Sequence, residues 1–101
     1  MTDPLRHHDM TVLRLLAFHT EQPSWLIATP SGAARLYVWA HFTGKWTLGG
    51  NLLPVTVARL WKGGAVTVHE PSDVPDSLRE LCGTFIGCRI ELTDVGQRIV
   101  S

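Results

Sequence analysis

Residues 51–68, Asn-Leu-Leu-Pro-Val-Thr-Val-Ala-Arg-Leu-Trp-Lys-Gly-Gly-Ala-Val-Thr-Val, constrain the chain most, because they place a helix, a glycine stop and a strand in direct succession. Leu53, Val57, Leu60 and Trp61 recur at i, i+4, i+7 and i+8, which predicts one core-facing stripe on a 3.6-residue period. Val55, Arg59 and Lys62 are expected to turn the other way. Pro54 suits the first helical turn, where its missing N–H has no partner in any case, and Gly63 or Gly64 closes the helix in a left-handed conformation. Val66 and Val68 then alternate with Thr67 and His69 as a half-buried strand requires. A helix that hands over so abruptly to a strand implies a mixed α+β fold.

At 101 residues the chain has room for one core and none for a separate catalytic lobe. We expect a tail at residues 1–8 and a single domain at 9–101. Only 18% of residues are charged, against about 25% in an average soluble chain, and 45% are hydrophobic, which excludes a disordered protein. No apolar run approaches the roughly 20 residues that span a bilayer, and the first residues lack the apolar stretch of a signal peptide. No membrane association and a cytoplasmic location are therefore expected. The spacing of Cys82 and Cys88 fits no zinc pattern, and in a reducing compartment the pair reads as buried free thiols.

The net charge of zero conceals an uneven distribution. Residues 22–69 carry Arg35, Lys45, Arg59 and Lys62 and no acid, while residues 70–101 set Glu70, Asp73, Asp76, Glu80, Glu91 and Asp94 against Arg79, Arg89 and Arg98. Ordinary solvation of a small domain and a binding footprint both account for this pattern.

Along the chain, a helix is predicted from about Asp9, its expected N-cap, to Phe18, with Leu13, Leu16 and Ala17 as its stripe. His7 and His8 lack a third ligand at a usable spacing and belong to the tail. Trp25–Ile27, a Pro30-Ser31-Gly32 turn and Leu36–Trp39 form a hairpin, and Lys45–Leu48 adds a strand before Gly49-Gly50 releases the chain. Four tryptophans fill the core or, for Trp39 and Trp46, present a binding surface. Glu70-Pro71-Ser72 is expected to break the strand that carries Val66 and Val68. Ser72 or Asp73 then caps a short helix with Val74, Leu78, Leu81 and Cys82 on one face, ended by Gly83. Thr84–Leu92 reads as a strand with Cys88, Ile90 and Leu92 on one side, and Thr93 caps a closing helix carrying Val95, Ile99 and Val100.

The segment Leu92-Thr93-Asp94-Val95-Gly96, together with Leu60-Trp61-Lys62-Gly63-Gly64-Ala65-Val66, resembles the second half of bacterial and phage winged-helix regulators, where the last wing strand enters a closing helix. The order from residue 9 to 68 is also similar to small YjhX-type toxin-like proteins. The winged-helix resemblance implies an N-terminal helix, a β-hairpin, a central recognition helix, an acidic helical insertion in the wing and a C-terminal helix. It further implies DNA binding in transcription regulation, with Val55, Thr56, Arg59 and Lys62 facing outward, and self-association as a homodimer through the first or last helix. Arg59 would address guanine or phosphate, Thr56 a phosphate or base edge, and Lys62 a phosphate. A hairpin stands where the first helix of a helix-turn-helix pair belongs, and the acids of residues 70–80 repel phosphate.

Nothing marks a catalytic nucleophile, a phosphate-binding loop, a metal site or a cofactor site, so a non-enzymatic protein is expected. The alternative to DNA is a protein partner. Asp73, Asp76 and Glu80, with Trp39 and Trp46, would let a phage or mobile-element inhibitor occupy the phosphate-binding surface of a host defence complex, in the manner of an anti-CRISPR protein.

Overall fold

The computed structural model describes residues 6–101, so residues 1–5 of the expected tail lie outside it. Nine elements follow one another: α1 (His7–Phe18), β1 (Ser24–Ala28), β2 (Ala34–Ala40), β3 (Lys45–Leu52), α2 (Pro54–Lys62), β4 (Val66–Asp73), α3 (Asp76–Cys82), β5 (Ile86–Leu92) and α4 (Asp94–Val100). The strands form one antiparallel sheet in the order β3-β2-β1-β5-β4, so the first strand lies at its centre and pairs with the last.

Strand alternation divides the interior in two. Leu26, Leu36, Val38, Val66 and Ile90 point to one face, where α1 contributes Val12, Leu13 and Leu16, α2 contributes Leu60, and Ile99 and Val100 of α4 pack at the margin. Trp25, Ile27, Tyr37 and Trp46 point to the other face, which α3 covers with the fully buried Leu78, beside Val74 from the loop before it. Burying each such side chain stabilises the fold by roughly 1.5–3 kcal/mol. The α+β class is as expected.

Several boundaries differ from expectation. His7 and His8 belong to α1, and Asp9 is not the N-cap: it is the third helical residue and accepts a hydrogen bond from the Arg6 N–H at 3.0 Å. Strand β3 runs on through Gly49-Gly50, where the register shifts by a bulge opposite Leu36 and Tyr37. Strand β4 likewise continues through Glu70-Pro71-Ser72, because a bulge between Val68 and Pro71 on this edge strand tolerates a residue without an N–H. Pro75, rather than Ser72 or Asp73, precedes the first turn of α3. Leu81 and Val95, expected to pack, are exposed.

Gly64 at φ 79° and Gly83 at φ 74° adopt the left-handed conformation that stops α2 and α3. Thr93 caps α4 as predicted, accepting from the Gly96 N–H at 3.1 Å while its hydroxyl donates to the Gly64 carbonyl. Gly96 lies so close to Ala65 that a Cβ there would stand 2.2 Å from the Ala65 carbonyl oxygen. The chain crossing before β4 and the closing helix are thus locked together. No helix among the described residues is long and apolar enough to cross a membrane.

Candidate functional site

The central helix presents a different side from the one its periodicity predicts. Leu53 is the extended N-cap, outside the helical period, and is exposed together with Trp61. With Leu53 removed, the buried stripe is Thr56 and Leu60 with Val57 beside them. At 100° per residue, Arg59 and Trp61 fall on its two flanks, and Val55 and Lys62 fall opposite it. The expectation that Thr56 and Arg59 face outward is therefore corrected. Thr56 is 5% exposed.

Arg59 reaches back to α1. Its Nε donates to Asp9 Oδ2 at 2.9 Å and its Nη2 to Asp9 Oδ1 at 2.8 Å, a bidentate pair whose carboxylate is wholly buried. The Arg59 hydrogen bonds, aided by the Arg6 N–H and by the guanidinium charge, hold the Asp9 carboxyl below its ordinary 3.8 against the opposing effect of burial. On the other flank, Trp61, Val57 and Pro54 overhang an apolar cleft of about 350 Å³ whose sheet side is Leu26, Ala34, Val68 and Cys88. Of the four residues expected to read DNA, only Val55 and Lys62 remain on the outward side.

The second set of predicted residues is drawn together by α3. Trp39 and Trp46 are cross-strand neighbours on β2 and β3, with ring centroids 5.3 Å apart in an edge-to-face arrangement. Trp46 is 8% exposed and donates its Nε1–H to Ser77 Oγ at 2.9 Å, which ties the β2–β3 hairpin to α3. Ser77, Glu80 and Leu81 lie at i, i+3 and i+4 and so share one side of α3. With Trp39, Lys45 and Trp46 they line an open depression of about 380 Å³. Among the described residues Glu80 has no ionic partner, whereas Asp76, one step round the helix, pairs with Arg79 at 3.1 Å. The Arg79 guanidinium is also held over the Phe85 ring at 4.6 Å.

Trp39, Trp46 and Glu80 are therefore assembled into one place. Asp76 stands beside them and Asp73, at the end of β4, stands apart. Ser77, Leu81 and Lys45 were not anticipated, although the i, i+3, i+4 spacing on a short helix was there to be read. A second unanticipated feature is an aromatic group in which Phe18 approaches Phe42 at 5.7 Å and His41 at 6.1 Å, joining the end of α1 to the turn after β2. Cys82 and Cys88 are half-buried free thiols. Among the described residues no three His, Cys, Asp or Glu side chains are grouped to hold a metal ion.

Fold and surface together define a small α+β domain with an ion-paired central helix and an aromatic-acidic depression on the opposite side of its sheet. Comparison with protein-family models, with curated proteins and with solved structures finds no match to this chain.

Proposed function

We propose that this chain is a non-enzymatic protein-binding domain whose contact face is the outer side of α3 and the adjoining β2–β3 hairpin. The observation that carries this reading is the placement of Glu80, without an ionic partner among the described residues, beside the Trp39–Trp46 pair in one open depression. Aromatic side chains supply large contact area at low entropic cost, and the exposed Asp73, Asp76 and Glu80 favour a partner with a basic surface. A nucleoprotein complex, whose phosphate-binding surface is basic, is the partner class this charge suits.

The test compares the full chain with the triple variant D73N/D76N/E80Q as bait in the native host, with bound protein identified and quantified. The reading requires a basic partner that the parent retains and the triple variant loses. Retention by both would overturn it.

A winged-helix nucleic-acid regulator is the second reading. It is favoured by the strand order β1-β5-β4, with α2 leading into β4 and α4 following β5, as the wing half of such a domain requires, although the β2–β3 hairpin stands where the first helix of a helix-turn-helix pair belongs. Against it stand the buried Thr56, the engagement of Arg59 by Asp9 and the apolar exposed side chains of α2. Titration of labelled duplex DNA from low to physiological salt decides between the two. Affinity that falls with salt and depends on Lys62 supports the regulator, and no binding at the lowest salt ends it.

A further inference from the structure

We propose that the depression bounded by Trp39, Trp46 and Glu80 is a seat for an arginine side chain of the protein partner; this rests on the reading of that face as the contact surface. Its aromatic wall is Trp39, half-buried, backed by Trp46, which Ser77 holds in place. Its carboxylate is Glu80, which no cation of the described residues neutralises. A guanidinium is the group that uses both walls at once. Its flat face stacks on an indole while its edge donates two parallel hydrogen bonds to a carboxylate. A lysine ammonium offers a point charge without the plane, and a phosphate is repelled by Glu80.

The other charged groups nearby fit this assignment. Arg79 is directed to Asp76 and Phe85, leaving the Glu80 side of α3 to an incoming cation. Gly44 and Lys45 line the hairpin side of the depression and Glu80 and Leu81 its α3 side, so the guest's guanidinium is assigned to the α3 side, with Glu80. Leu81 is 54% exposed and covers the aliphatic stem of the guest.

The experiment follows the four indole N–H signals of the isotopically labelled full chain by NMR at low salt. The probes are acetyl-Gly-Arg-Gly-amide, its lysine and citrulline counterparts, and a six-nucleotide oligothymidine. The arginine peptide is expected to move the Trp39 and Trp46 signals saturably and leave that of Trp61 in place. Citrulline, which lacks the charge, leaves all four unmoved, and lysine binds more weakly than arginine. E80Q is expected to weaken the arginine peptide by more than about threefold, whereas D94N, which removes the same charge on the far side of the sheet, changes it less.

Equal response to citrulline, equal binding by lysine, or E80Q weakening no greater than that of D94N would overturn the seat, as would movement of the same two signals by the oligonucleotide. Signal dispersion of E80Q reports its fold in the same spectra. If the host partner is lost by the triple acidic variant yet the arginine peptide moves nothing, the contact face stands and the arginine seat falls. If the partner is retained by that variant, the contact face falls by its own measurement.

Discussion

Arg59 and Asp9 clasp α2 to α1 through two parallel hydrogen bonds of 2.9 and 2.8 Å, with the carboxylate 0% and the arginine side chain 20% exposed. The two residues are unequal partners. Loss of the arginine strands a buried anion, whereas loss of the carboxylate leaves a cation that can still reach water. We expect R59A to cost about 3–5 kcal/mol and D9N to cost less, about 1–3 kcal/mol. Chemical denaturation of both variants checks the order, and a larger loss in D9N would contradict it.

The same pair gives stability a dependence on pH. The folded-state pKa of Asp9 lies below its unfolded value near 3.8, chiefly because Arg59 bonds the charged form. Above about pH 5 the carboxylate is charged in both states and the contribution is complete. As pH falls below that value the unfolded chain takes up a proton more readily than the folded one, and the contribution fades until pH passes the folded pKa. Melting temperatures measured from pH 6 downward should therefore fall more steeply in the parent chain than in D9N. Parallel curves would refute the assignment.

Gly96 presents a test whose sign runs against helix propensity. Alanine in place of glycine inside a helix ordinarily stabilises by about 1 kcal/mol. Here the added methyl would meet the Ala65 carbonyl oxygen at 2.2 Å and Leu92 Cδ1 at 2.6 Å. G96A is expected to destabilise by about 1–3 kcal/mol as α4 is pushed off the crossing before β4. A raised melting temperature would show that the close approach is absent.

Ser77 is the acceptor for the Trp46 indole, 31 positions distant in the chain. S77A leaves that largely buried N–H without a partner and should cost about 1 kcal/mol. The Trp46 indole signal should shift while that of Trp61 stays. An unaltered Trp46 signal would mean that the hairpin and α3 are not joined there.

Much of the fold was legible because its signals are local. The Pro54 start and glycine stop of α2, the Thr93 cap and the Cys88-Ile90-Leu92 alternation each lie within a few residues of what they determine. What escaped is non-local. Nothing near Arg59 reveals that its partner is Asp9, 50 positions earlier, and nothing near Asp9 distinguishes a helix cap from an ionic anchor. Glu70-Pro71-Ser72 reads as a break because proline cannot donate to a ladder, yet on an edge strand a bulge absorbs it. At the depression, Trp39 and Trp46 read as either core or binding surface, and the structure divides them: Trp46 is a buried core residue and Trp39 is half-buried, while Ser77 and Leu81 acquire meaning only once α3 is laid over the sheet.

The central position of β1, paired on one side with β2 and on the other with β5, carries a consequence for synthesis. A nascent chain can form the first three strands as a meander, but the β1–β5 ladder cannot close until Ile90 has cleared the ribosome. Until then Leu26 and Trp25 lack half their neighbours, and the newly made protein must pass through an interval in which its greasiest strand has an open flank.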